Sequence, residues 1–255
     1  MILMVLDFND LPEVPGLRDL SRPQQTFPEY STHLTLGIIP NIAKPGSFDS
    51  AIEDVTGVIH TANPFQIFGV EDNERDLLKL GHLIFCRVIL TSPFVAMADE
   101  SNETGLGHMY SEKDWNLDTY EDAAASSAFA GTAYSTAKAL VERAAWDFVR
   151  DKNTGFDIST IMPPTIYGPN IKATADLQKL NTSSADIYRL ISPKSKSSDS
   201  VSGIMFWSFV DVRDVAEAHL RAYEVPEAGD GDVPRNVYTV DVGKSERVLA
   251  LSIGR

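Results

Sequence analysis

Residues 86–92 read Cys-Arg-Val-Ile-Leu-Thr-Ser, a short apolar run that ends at Pro93. Its β-branched centre and short length predict a strand buried on both faces. Two similar runs flank it in sequence. Asp54–Ala62 (DVTGVIHTA) stops at Asn63-Pro64, and Phe156–Ile161 stops near Pro163-Pro164. Between the second and third strands lies an Ala-rich stretch, Ser126–Asp151, with Leu140, Val141, Ala144, Ala145 and Phe148 spaced for one helical face. Apolar strands alternating with helices predict an α/β fold with a mainly parallel, Rossmann-like sheet and helices on both faces. Ligands in such sheets bind at the carboxyl ends of strands. Those ends are expected at Asn41, Ala62–Pro64, Ser92–Pro93 and Pro163–Thr165.

The remaining pattern is weaker. Residues 1–26 read as irregular, with a short apolar strand at Ile2–Leu6. His33–Ile39 alternates like a strand, and Pro45–Glu53 carries a helix start, with Ser47 or Asp49 as cap. Glu71–Leu83 and Asp176–Leu190 read as helices, and residues 98–125 as a long acidic loop. Met205–Val210 reads as a strand, Val212–Tyr223 as a helix and Asn236–Asp241 as a last strand.

The composition excludes several classes. The 255 residues carry a net charge of −14, the wrong sign for a general nucleic-acid or anionic-membrane binder. A single cysteine, Cys86, excludes an internal disulfide and a cysteine zinc site. No apolar run nears the roughly 18 residues of a membrane span. The leading MILMVL run has no basic residue before it and acidic residues after it, so the expected location is the cytoplasm. The five histidines show no ligand spacing, and the acidic group Glu71, Asp72, Glu74 and Asp76 reads as a solvated helix start.

The sharpest chemical signal is Tyr134-Ser135-Thr136-Ala137-Lys138. Tyr134 and Lys138 are one helical turn apart and share a face. A free phenol has a pKa near 10, and an ammonium beside it favours the phenolate. Such a pair can exchange a proton with a carbonyl or an alcohol. Tyr-x-x-x-Lys spacing is common by chance, and alone it is better read as an ordinary Tyr and Lys on an amphipathic helix.

The surrounding order is DVTGVIHTANPF, RVILTSPFVAM, YSEKDWN, YSTAK, FDISTIMPPTIYGPN and FVDVRDVAEAHLRAY. From about Phe27 to Thr239 this series resembles the extended short-chain dehydrogenase/reductase superfamily. Within it the chain looks most like fungal methylglyoxal-type aldehyde and ketone reductases and plant dihydroflavonol and cinnamoyl-CoA reductases. The resemblance implies hydride transfer between NADP(H), ahead of NAD(H), and a small carbonyl substrate. It implies Tyr134 as acid/base, with Lys138 lowering its pKa and holding the nicotinamide ribose. Ser92 would be the remaining member of the catalytic set. Asn41 and Ile42 would lie beside the adenine, Thr61, Ala62 and Pro64 along the diphosphate and ribose, and Pro163 beside the nicotinamide. Asp211, Arg213 and Asp214 match a motif with a mainly structural role. Residues 27–165 would form a partial dinucleotide-binding domain and residues 166–255 a partial substrate region.

Three departures accompany these matches. No glycine-rich phosphate turn occurs in the chain, and the first βαβ unit is expected to be missing or degenerate. Ser92 falls one position before the family's catalytic serine, where alternation along a strand reverses the side chain, and Pro93 holds it extended. The link between the helix near Glu74 and the strand at Arg87 is short for a parallel crossover, which needs about a dozen residues or more. These departures, with an expected early C-terminal stop, suggest a second reading: a truncated, non-catalytic reductase remnant acting as a scaffold or interaction protein.

Overall fold

The β-rich runs become strands because their side chains are buried above and below the sheet. In the computed structural model, β1 (Ile2–Val5), β2 (Gly57–His60), β3 (Arg87–Thr91) and β4 (Asp157–Ile161) form one parallel sheet in that spatial order. The structure describes residues 2–5, 28–33, 37, 39, 46–52, 55–61, 87–98, 110–125, 130–152, 154–169, 177, 180, 182–192 and 208–225. The register aligns Gly57, Arg87 and Asp157 across the three later strands. Alternation then divides their side chains between two faces.

Val58, Val88 and Ile158 point to one face, where they meet Ala145, Trp146, Phe148 and Val149. Those residues belong to α2 (Ala130–Lys152). Ile59, Ile89 and Ile161 point to the other face, against Ala218, Ala222, Tyr223 and Val225. The first three of these partners belong to α4 (Val212–Glu224). Val58, Ile89, Ile161, Ala218 and Ala222 are fully buried. Each large aliphatic side chain removed from water in this way contributes about 1.5–3 kcal/mol. The expectation of an α/β parallel sheet with helices on both faces therefore holds.

The close seat of α4 requires a glycine in β2. A Cβ on Gly57 would lie 2.1 Å from Tyr223 Cε2. The Tyr223 hydroxyl, beyond that ring, lies 3.0 Å from Thr56 Oγ1.

An ion pair made by the buried Arg87 ties the amino ends of the strands. Arg87 Nε and Nη2 donate to the two carboxylate oxygens of Asp157, at 2.8 and 2.9 Å. Its Nη1 donates to the carbonyl of Ala222 at 2.8 Å and also to that of Val225. One guanidinium thus joins the starts of β3 and β4 and caps the last turn of α4.

The described residues fall into two compact units. One holds β1, the described residues within 37–162, and residues 217–225. The other holds 28–33 and the described residues within 163–216. In the second unit β5 (Thr165–Tyr167) pairs parallel with β6 (Phe209–Asp211). Tyr167 Oη donates to Asp186 at 2.9 Å, which docks α3 (Thr182–Ile191) on β5. Gly168 has φ +145°, and a Cβ there would lie 2.5 Å from Val212 Cγ1.

Several expectations are corrected. Residues 46–52 form successive turns rather than a helix, with Gly46 at φ +76° and a single i to i+4 bond from Ile52 to Phe48. So short a segment does not repay helix nucleation. His33 ends a 3-10 helix, Pro28–His33, rather than opening a strand. The acidic loop contains a helix, α1 (Tyr120–Ala124), started by a capping box between Thr119 and Asp122. Of the strand expected at Met205–Val210, residues 205–207 lie outside the described residues and Phe209 and Val210 open β6; β5 is an element that the pattern did not reveal. The expected helix at Glu71–Leu83 and strand at Asn236–Asp241 lie outside the described residues.

Candidate active site

The carboxyl ends of β2 and β3 deliver Thr61 and Ser92. Thr61 follows β2 directly and is half-buried. Ser92 follows β3, and its backbone N–H donates to the Ile161 carbonyl at 2.8 Å. That bond carries the ladder one residue past the strand. Alternation therefore continues through it, and Ser92 falls on the face of Val88, the face that α2 covers. Ser92 is buried, and Pro93 continues the extended backbone at φ −71° and ψ 153°. The one-residue offset thus leaves Ser92 on the side of Tyr134 and Lys138.

A single 3-10 turn, Phe94–Ala96, follows Pro93. Phe94 is buried and packs edge-on against Tyr110, with ring centroids 5.2 Å apart.

On α2, Lys138 is buried and Tyr134 is half-buried. Lys138 Nζ sits over the Tyr134 ring, 5.0 Å from its centroid. This is a cation–π contact along one helical face. Ser135 and Thr136, between them, are buried with their hydroxyls paired. Their hydroxyls donate to the carbonyls of Gly131 and Thr132, each at 2.8 Å. One turn further on, Glu142 is buried and accepts a hydrogen bond from Thr160 Oγ1 of β4 at 3.1 Å.

The electrostatics differ from the expectation. Burial pushes the Tyr134 phenol above its ordinary pKa of 10. Desolvation of the phenolate is the cause, and the ammonium does not reverse it. The neutral, proton-donating form is therefore the stable one.

The other expected residues divide between two groups. Pro163 is buried and belongs to the second unit. Asn41, Ile42, Ala62 and Pro64 lie outside the described residues. In the second unit, Asp211 accepts from the backbone N–H, Nε and Nη2 of Arg213. Those bonds hold its carboxyl down at about 2. The pair closes the end of β6, in keeping with the structural role expected of the motif.

Two site neighbours escaped the sequence reading. His219 is buried on α4, and its Nε2 lies 2.7 Å from Thr91 Oγ1, immediately before Ser92. Asn116 is buried beneath the 3-10 turn after Ser92. Neither pairing has a local sequence signature.

The model of the NAD dependent epimerase/dehydratase family matches residues 107–240. The chain belongs to that family. The family match includes the YSTAK helix and the VDVRDVA segment. The chain is 30% identical over 216 residues to the NADPH-dependent methylglyoxal reductase of Saccharomyces cerevisiae, covering 76% of this chain and 60% of that protein. A ketoreductase of Aspergillus niger is 33% identical over 207 residues, with 74% and 59% covered. The crystal structure of Gre2 from Candida albicans in complex with NADPH superposes with a TM-score of 0.66 at 28% identity, over 90% of this chain and 68% of that one. The chain spans about 60% of the length of the curated relatives it matches. Among the described residues, no helix is long and apolar enough to cross a membrane.

Proposed function

We propose that this epimerase/dehydratase-family chain is an NADPH-dependent reductase that converts an aldehyde or ketone to an alcohol. The observation that carries the reading is the Tyr134–Lys138 pair on α2, with Ser92 at the end of β3 on the same side of the sheet. The names of the fungal relatives support the cofactor and the carbonyl chemistry.

The described donors fit a nicotinamide dinucleotide. A phenol, an ammonium and the Thr61 and Ser92 hydroxyls suit a ligand rich in ribose and phosphate oxygens. Lys138 would hold the nicotinamide ribose, and Thr61, with Ala62 and Pro64, the ribose and diphosphate. Asn41 and Ile42 would meet the adenine and Pro163 the nicotinamide. Residues 27–165 supply the cofactor part in this reading and residues 166–255 the substrate part. When bound, NADPH supplies the hydride that reduces the carbonyl carbon.

The chain's own residues handle the oxygen. Ser92 Oγ donates a hydrogen bond to the carbonyl oxygen and fixes its direction. Tyr134 Oη gives its proton to that oxygen as negative charge develops there. Burial keeps Tyr134 protonated before the reaction, which suits an acid. The positive Lys138 then stabilises the phenolate left behind until solvent returns the proton. Reduction therefore starts from the resting protonation state, whereas alcohol oxidation needs the phenol to ionise first.

Calorimetric titration of the purified chain with NADPH, and separately with NADH, tests the reading. The expected result is micromolar binding of NADPH, weaker binding of NADH, and loss of affinity in Lys138→Met. A folded chain that binds neither cofactor would overturn it and leave the scaffold reading.

A further inference from the structure

Asn116 uses its backbone and its side chain to join three segments. Its backbone N–H donates to the Ala96 carbonyl at 2.9 Å, and its Nδ2 donates to the Ala98 carbonyl at 3.1 Å. Ala96 ends the 3-10 turn that follows Ser92 and Pro93, and Ala98 lies two residues beyond it. Its Oδ1 accepts from the Asp118 N–H at 3.0 Å, just before α1. Its own carbonyl accepts from Arg143 Nη2 at 3.0 Å. The Arg143 guanidinium also lies over the Trp115 ring, 4.8 Å from the centroid. Asn116 is 1% exposed, so these bonds have little competition from water.

Arg143 belongs to the helix that carries Tyr134 and Lys138. A path of direct contacts therefore runs from that helix through Arg143 and Asn116 to the backbone behind Ser92. At about 100° per residue, Arg143 is half a rotation from Tyr134. It grips the flank of α2 away from the phenol. Fixing one flank of a rigid helix fixes where the other flank points. A displacement of about 1 Å between reacting groups can cost on the order of 100-fold in rate.

We propose that Asn116 and Arg143 are positioning residues that set Ser92 relative to Tyr134. Neither touches substrate in this account. Asn116 acts on the Ser92 turn and Arg143 couples that turn to α2. The inference rests on the reductase reading and adds two residues to it.

The test is a double-mutant cycle on carbonyl reduction with NADPH as the probe cofactor. Asn116→Ala and Arg143→Ala are each expected to lower kcat about 10- to 100-fold while leaving KM for NADPH within about twofold. Adding Asn116→Ala to Ser92→Ala is expected to cost little more than Ser92→Ala alone, because the brace works through Ser92. Fully additive losses would overturn the proposal, since a general structural role persists without Ser92. Hydrogen exchange of residues 92–98 gives a readout that needs no turnover. Arg143→Ala, which leaves Asn116 in place, is expected to speed exchange there at least tenfold, and unchanged exchange would overturn the brace. A wild-type chain without reductase activity removes the functional reading, and the exchange result still decides whether the brace exists.

Discussion

Lys138 Nζ lies over the ring of Tyr134, 5.0 Å from its centroid, one turn further along the same helix. Burial holds the phenol in its neutral form, and the ammonium waits beside the charge that proton release would create. That division gives the two directions of the reaction different pH dependences. Reduction consumes the stable phenol, so its kcat is expected to stay flat from about pH 6 to pH 9. Alcohol oxidation needs phenolate, so its rate is expected to climb over the same range. Rate profiles in both directions check this, and a reduction rate that requires deprotonation would contradict it.

Lys138→Met is expected to slow both directions by about 100- to 10,000-fold, with the oxidation profile moved to higher pH. The phenolate then lacks its neighbouring charge. Steady-state rates across pH, measured on a variant with an unchanged circular dichroism spectrum, separate this effect from unfolding.

The same phenol links folding to pH. Its pKa in the fold is raised above 10, so the native state binds more protons than the unfolded state in alkali. The Tyr134 contribution is fully present below pH 10 and falls away as pH rises through the higher folded value. Wild type should therefore lose stability more steeply than Tyr134→Phe as pH rises above about 10. Urea midpoints for both chains across that window measure the difference. Parallel curves would mean that the phenol is solvated in the fold.

Arg87→Ala is expected to destabilise the chain by about 3 kcal/mol. The substitution strips Asp157 of its partner and leaves the Ala222 and Val225 carbonyls without the cap that ends α4. Asp157 is one-third exposed, so water recovers part of its loss and Asp157→Asn should cost less. Chemical denaturation of the two variants gives the order directly.

Gly57→Ala should cost about 1–3 kcal/mol, because the new methyl would overlap the Tyr223 ring. Removing that ring makes room, so Gly57→Ala added to Tyr223→Ala should cost less than in the wild-type background. Equal costs in the two backgrounds would place the strain elsewhere.

The sequence was most legible where one element carries its own pattern. The run at Cys86–Ser92 becomes the strand Arg87–Thr91, and the Ala-rich stretch becomes a helix ending at Lys152. Val212–Tyr223 is a helix to within one residue. Tyr134 and Lys138 were visible because helical spacing alone brings them together. The side of the sheet that Ser92 occupies was not, because it depends on a ladder bond to Ile161, far along the chain. Arg87 reads only as one residue of the run 86–92, yet its partners are 70 and 135 residues away. His219 and Thr91 are separated by 128 residues. The start of α1 was legible in principle, since Thr119 and Asp122 have capping spacing, but the surrounding acidic residues mask so short a helix. Long-range polar pairs leave no periodic trace, so the fold could be read further than the supports of the site.

The most direct measurement of the central claim is NADPH consumption by the purified chain with a panel of small aldehydes and ketones, beside Tyr134→Phe. Turnover by the wild type is expected, with a loss of at least about 1,000-fold in the variant and circular dichroism and NADPH affinity unchanged. Equal turnover in the two chains would contradict it and remove Tyr134 from the chemistry.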